Sequence, residues 1–237
     1  MEDRARENIY LSSTELYALL QSQEIRDIVL FDEVHKNPPD ERSTVIAVTN
    51  LINRGWLENR GDRLVMDSKL KKLMEILSST KYSISIFFYR SILPQKCVYT
   101  SGDDAASLEM DISRQGFIKA ELLKYGELVD ELVSNDFISA GSCVNRSADE
   151  QNILKAVNEY LTSKGAENDN ILLSIQRFCK NAADIEIFLV RDVLSDVFLI
   201  RTPDAEKLVM YSADRLRTIF SLLNDKTGEE ILKYDFS

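Results

Sequence analysis

Two apolar runs in this chain superimpose without a gap, and no other feature limits the fold as much. Ile84-Ser85-Ile86-Phe87-Phe88-Tyr89-Arg90 falls on Ile185-Glu186-Ile187-Phe188-Leu189-Val190-Arg191, an offset of 101 residues (84 onto 185). At the same offset Leu93 meets Leu194, Asp103 meets Asp204 and Leu108 meets Val209; upstream, Met74 and Leu77 meet Ile175 and Phe178. Alternation alone predicts strands. Register held through two turns and a preceding helix predicts a helix-then-meander unit present twice. Each half-sheet alone would expose an edge, and pairing the halves into one sheet covers it. The expected fold is therefore α+β, a central antiparallel sheet with flanking helices and two pseudo-two-fold related halves. The halves are residues 1–115 and 116–237, packed as one domain.

Local signals fill in the first half. Ser12 and Glu15 form a capping box, opening a helix with Leu16, Leu19 and Leu20 on its apolar face. Ile25 to Phe31 reads as more helix, and Asn37-Pro38-Pro39-Asp40 breaks it. Ser43 to Arg54 reads as a helix with Val45, Ile46, Val48 and Leu51 inward, ended by Gly55. Trp56-Leu57-Glu58 and Leu64-Val65-Met66 are short strands around the turn Asn59-Arg60-Gly61-Asp62. Asp67 caps a helix to Ser78 with Leu70, Leu73, Met74 and Leu77 on one face. Helix, strand, tight turn, strand is a winged-helix outline. The strand Ser83 to Arg90, a turn over Ser91 to Gln95 and the strand Lys96 to Ser101 follow. After the turn Gly102-Asp103-Asp104 come a strand over Leu108 to Ile112, a mainly helical Gly116 to Val133, and a hinge over Asn135 to Ser147.

In the second half, helices are predicted over Asp149 to Ser163 and Asn170 to Lys180, and strands over Asp184 to Arg191 and Val197 to Arg201. The turn Thr202-Pro203-Asp204, a strand over Lys207 to Tyr211 and a helix over Ala213 to Leu223 complete it.

Catalytic patterns are missing. No Gly-x-Ser-x-Gly, glycine-rich phosphate loop, His-Glu-x-x-His or paired Cys-x-x-Cys occurs, and the 8 glycines do not cluster. The one histidine, His35, lies beside Asp32, Glu33 and Lys36 in a proline-rich loop and reads as a surface residue. Asp103-Asp104 reads as turn chemistry, Ser139 to Ser142 as linker, and Arg60-Gly61-Asp62 as a tight turn. Cys97, Cys143 and Cys179 match no ligand spacing and read as reduced, mostly buried thiols. No enzyme, metal site or cofactor is expected.

Charge separates the remaining classes. The net charge is −10. Residues 1–120 hold 16 basic and 18 acidic side chains, residues 121–237 hold 13 and 21, so the acidity sits in the second half. Such a surface repels nucleic acid and anionic membranes. Met1 to Arg6 lacks the apolar run of a signal peptide, and no run long enough to span a bilayer follows, so a cytoplasmic location without membrane insertion is expected. Residues 42–81 are the exception, with 8 basic and 4 acidic side chains. A winged-helix nucleic-acid-binding or regulatory protein is therefore the alternative reading. It is disfavoured because the Ser43 to Arg54 helix reads as buried on most sides, with few groups for base readout.

The turns of the two meanders carry apolar residues where polar ones are usual. Ile92, Leu93 and Pro94 in one, and Val193 and Leu194 in the other, would either extend the strands into the core or form an apolar tip that docks a partner helix. The segment Ile231 to Phe236 would be a docked tail or a protruding arm.

The sequence resembles the EspG family of type VII secretion chaperones. The likeness lies in the opening Leu11-Ser12-Ser13-Thr14-Glu15-Leu16-Tyr17-Ala18-Leu19-Leu20, in Leu51-Ile52-Asn53-Arg54-Gly55-Trp56-Leu57, and in Asp67-Ser68-Lys69-Leu70 followed by a helix and the Ile84 to Arg90 strand. It covers residues 10–90; beyond, only the order of elements compares. The resemblance implies a cytosolic, non-enzymatic chaperone or adaptor that shields the apolar end of a helical secreted protein of the WXG, LXG or PE/PPE kind. A homodimer joined by sheet edge or apolar tips is a third reading.

Overall fold

The computed structural model describes residues 8–26, 38–89, 95–114, 116–134, 150–162, 171–179, 182–191 and 196–236. The protein is α+β, with a nine-stranded antiparallel sheet and a separate two-stranded one. In chain order the elements begin with β1 (Ile9–Ser12), α1 (Ser13–Ser22), α2 (Glu41–Asn53), β2 (Leu57–Arg60), β3 (Arg63–Met66) and α3 (Ser68–Ser79). They continue with β4 (Ser83–Phe88), β5 (Lys96–Ser101), β6 (Asp104–Met110), β7 (Phe117–Lys124), α4 (Tyr125–Ser134) and α5 (Glu150–Thr162). The last are β8 (Ile171–Cys179), β9 (Ala182–Arg191), β10 (Asp196–Arg201), β11 (Glu206–Met210), α6 (Ala213–Asp225) and α7 (Gly228–Lys233). The large sheet runs β1-β7-β6-β5-β4-β8-β9-β10-β11. Two compact units divide the chain, residues 1–83 with 96–125, and residues 84–95 with 126–237.

In the first unit the caps behave as their residues dictate. The Ser12 side chain accepts from the Glu15 N–H at 3.2 Å, and Glu15 Oε2 accepts from the Ser12 N–H at 2.7 Å. Asp40 caps α2 through the Ser43 N–H, 2.7 Å away. That helix ends in a Schellman motif: Gly55 takes φ 76°, its N–H donates to Ile52 O and the Trp56 N–H to Leu51 O. The β2–β3 hairpin turns on Gly61-Asp62, with Gly61 at φ 72° and Arg60 opposite Arg63. Ile9 and Leu11 of β1, Cys97 and Tyr99 of β5, Ala106 and Leu108 of β6, and Ile118 and Ala120 of β7 form one sheet face, packed on α1, α2 and α3.

In the second unit the sheet is buried on both sides. Phe188 and Val190 of β9 join Val197 and Leu199 of β10 in a core with Ile153, Ala156 and Val157 of α5. On the other face Phe198 lies opposite Leu189 and Val209, its ring 5.4 Å from that of Tyr211. The C-terminal end of α6 is tied to β8 on that face by Arg177.

Four sequence expectations are corrected. Within the helix expected over Asn170 to Lys180, Ile171–Cys179 is instead the strand β8, because it pairs along β9 from Ile171 opposite Val190 to Cys179 opposite Ala182. Gly116 to Val133 is helical only from Tyr125; Phe117–Lys124 is β7, paired with both β6 and β1. The 101-residue offset lays β4, the first strand of its meander, on β9, the second of the other, and sets the helix α3 on the strand β8. The repeat as read therefore fails in its helix. Finally, α2 turns Ala47 and Leu51 inward, while Val45 and Ile46 are 60% and 51% exposed. Ile25 follows α1 outside any helix, and the rest of that expected helix to Phe31, like the hinge Asn135 to Ser147, lies outside the described residues.

Candidate binding surfaces

β4 and β9 flank β8 in an antiparallel sheet, so they run in the same direction. Their ends meet the start of β8: the Tyr89 N–H donates to Leu172 O at 3.0 Å, and Ile171 pairs with Val190. The chain thus leaves β4 and β9 at one end of the sheet, about 10 Å apart by strand spacing. The turns that follow carry Ile92, Leu93 and Pro94, and Val193 and Leu194. All five lie outside the described residues, so the structure fixes the strand ends on which they are mounted and not the turns. Tyr89 anchors its strand end, half-buried against the α5-side core, with its hydroxyl 3.4 Å from Ser174 Oγ.

The winged-helix-like segment presents a second surface. Of the exposed large hydrophobic side chains among the described residues, Val45, Ile46, Ile52, Leu64 and Val65 fall in this segment and Ile112, Leu161 and Tyr234 elsewhere. A glutamate holds the helix that carries the first three. Glu15 is 3% exposed; its Oε2 also meets Arg54 Nη2 at 2.7 Å, and Arg54 Nη1 donates to Tyr10 O at 2.8 Å. The capping box of α1 is thereby locked to the end of α2 and to the edge strand β1. Sequence alone offered Glu15 as a cap; its second role needed the fold.

The adjacent aspartates behave as turn residues. Gly102 takes φ 61° in the β5–β6 turn, and Asp104 pairs with Lys124 at 2.5 Å and with Lys72. The Lys124 hydrogen bond, then that of Lys72, pulls the Asp104 carboxyl from 3.8 down to about 2. A depressed acid stabilises the fold above its unfolded value, and that contribution disappears as pH falls through the folded one. A carboxyl-carbon NMR titration is expected to give a midpoint near 2 for Asp104, returning to about 3.8 in a Lys72→Ala/Lys124→Ala double variant. A midpoint unmoved by both substitutions would refute the triad.

A further charged row crosses the sheet face opposite the helices, where Lys96, Glu109 and Lys119 are cross-strand neighbours. Glu109 lies 3.6 Å from Lys96 Nζ and 2.9 Å from Lys119 Nζ. Burial works to lower the Lys119 pKa, but its bond and attraction to Glu109 outweigh that and raise it. These groups neutralise one another in place.

An open cleft of about 460 Å³ is lined by Asp184, Glu186, Arg201 and Glu206 among others. Three of its carboxylates serve the chain itself: Asp184 holds Arg177, Glu186 accepts from Gln176, and Glu206 holds Arg201. Among the described residues no three His, Cys, Asp or Glu side chains are grouped to hold a metal ion. Cys97 is buried and Cys179 half-buried, neither in a disulfide, while Cys143 and His35 lie outside the described residues. No described helix is long and apolar enough to cross a membrane.

The C-terminal segment is a docked tail. Ile231 and Phe236 are buried; Lys207 Nζ donates to Leu232 O and Tyr234 O, and Arg215 Nε to Phe236 O at 2.7 Å. No protein-family model matches the chain, and no curated protein matches it.

Proposed function

We propose that this chain is a cytoplasmic, non-enzymatic chaperone or adaptor that shields the apolar end of a helical secreted partner, as its resemblance to EspG-like type VII secretion chaperones implies. The observation that supports the reading is the common direction of β4 and β9 beside β8, which ends both strands, each followed in sequence by an apolar segment, at one end of the sheet. Two strand ends about 10 Å apart match the diameter of a helix with its side chains. Binding is burial of apolar surface, with no bond made or broken.

The test is purification of the native protein from its source, with absorbance at 260 and 280 nm and mass spectrometry of what accompanies it. A small helical protein in near-equal amount supports the reading, and protein without a companion overturns it. Nucleic acid surviving moderate salt would instead favour a winged-helix nucleic-acid-binding protein. A Leu93→Asp/Leu194→Asp variant is expected to lose the companion with its thermal unfolding unchanged. Should that variant unfold, the two leucines belong to the core and the tip mechanism fails.

A further inference from the structure

Among the described strands β11 pairs with β10 alone, so the large sheet has an edge there. The register shows which backbone groups that edge leaves over. The Thr202 N–H donates to Ala205 O at 2.9 Å and the Tyr211 N–H to Asp196 O at 3.0 Å, one bonded pair at each end of the β10–β11 ladder. Bonded and non-bonded pairs alternate in an antiparallel ladder, so Lys207 and Val209 turn their N–H and C=O toward β10. Glu206, Leu208 and Met210 turn theirs outward. A row of that kind is the template to which another extended strand adds.

Residues 232–236 lie along this edge, held by side chains. Lys207 Nζ donates to Leu232 O at 2.9 Å and to Tyr234 O at 2.5 Å, and it lies 5.2 Å from the centre of the Phe236 ring. Arg215 Nε donates to Phe236 O at 2.7 Å, and Arg215 Nη1 to Met210 O at 3.1 Å. Position 207 is thus tied to 232 and 234, and position 210 to 236, so the segment follows β11 in the same direction. Phe236 is its anchor, 8% exposed, with the Tyr234 ring 5.0 Å away. One guanidinium therefore both fastens the segment and occupies an outward carbonyl of the edge strand.

We propose that residues 234–236 are a strap that keeps β11 from pairing, and that the edge, once unstrapped, joins that of a second copy of the chain. Antiparallel pairing about Leu208 would bring its N–H and C=O to those of the other Leu208, and would set each Glu206 N–H against the other copy's Met210 O. Met210 O is the acceptor that Arg215 holds in the strapped state, so the strap and the second copy compete for that atom. Charge permits the meeting. Residues 121–237 hold 13 basic and 21 acidic side chains, yet β11 carries one of each, Lys207 and Glu206, and is neutral. The strap is separate from the meander turns, so it stands or falls without them.

Two variants open the strap by different routes: Arg215→Met removes the guanidinium from both carbonyls, and Phe236→Ser removes the anchor. Hydrogen exchange over residues 232–236 reports the opening. Sedimentation velocity of the full chain is expected to give a monomer for the parent and a concentration-dependent dimer for either variant. Adding Leu208→Pro is expected to weaken that dimer at least about tenfold while the chain still folds, because the Leu208 N–H faces outward and an edge strand tolerates proline there. The proposal is overturned by opened variants that stay monomeric, by a parent that dimerises equally, or by a dimer indifferent to Leu208→Pro. Opened variants that no longer melt cooperatively would show that the segment belongs to the core, and that result also ends the strap.

Discussion

Asp184→Ala is expected to destabilise the protein by about 3–5 kcal/mol, because it strands a buried cation. Arg177 is 0% exposed; its Nε and Nη2 meet the two Asp184 oxygens at 3.0 and 2.5 Å, and its Nη1 donates to Leu223 O at 2.8 Å and Lys226 O at 2.5 Å. The guanidinium therefore neutralises one charge and also satisfies carbonyls at the end of α6, which no intrahelical donor reaches. Asp184 retains 31% side-chain exposure, so the pair is unequal: one partner can turn to water and the other cannot. Arg177→Met should accordingly cost less, about 1–3 kcal/mol, by leaving carbonyls without a donor. The Arg177→Met/Asp184→Ala double variant should be more stable than Asp184→Ala alone. Urea denaturation of the three variants measures that order. Asp184→Ala as stable as the parent, or a double variant worse than both singles, would sink the account.

Phe198→Ala should cost a similar amount, about 3–5 kcal/mol, for a different reason. Phe198 is fully buried between Leu189 and Val209 on the sheet, with the Tyr211 ring against it. Removing the ring leaves a cavity that flanking strands, fixed by their hydrogen bonds, cannot collapse into. For a chain of this size the loss corresponds to a fall in unfolding temperature of roughly 6–20 °C, readable by calorimetry. Phe198→Leu should recover more than half of it. A loss below about 1 kcal/mol would mean that this face of the sheet is loosely packed.

The elements that sequence made legible are those announced by local chemistry. Ser12, Asp67, Gly55 and Gly61 each have a role that adjacent residues specify, and each performs it; Asp40, read only as part of a break, proved to be the cap of α2. Elements whose identity depends on distant partners were lost. Residues 171–175 are buried at every position, with α5 and α6 on the two sheet faces of their unit, and such a strand shows no alternation to distinguish it from a helix. In Phe117–Lys124, Ile118 and Ala120 point to the core with the spacing of a strand, but Ala, Glu, Leu and Lys favour helix; pairing with β6 and β1 decided otherwise. The inward assignment of Val45 and Ile46 assumed that apolar means buried, and the structure leaves both exposed.

The candidate site was legible to a similar extent. The apolar composition of residues 92–94 and 193–194 was readable but lies outside the described residues; the shared end of the sheet at which β4 and β9 stop follows from β8 entering between them, which nothing near residues 92 or 193 encodes. Arg177 gave no signal at all, since the residues that justify its burial lie seven to forty-nine positions away.

The insertion of β8 also sets a schedule for synthesis. Tyr89 finds its partner carbonyl on Leu172, 83 residues later (89 to 172). At about 5–20 residues per second, a ribosome leaves that side of β4 without its neighbour for roughly 4–17 s. During those seconds the nascent chain holds Ile84, Ile86 and Phe88 in a strand that is incomplete on one flank, so slow decoding between codons 90 and 170 lengthens its exposure to aggregation, and fast decoding shortens it.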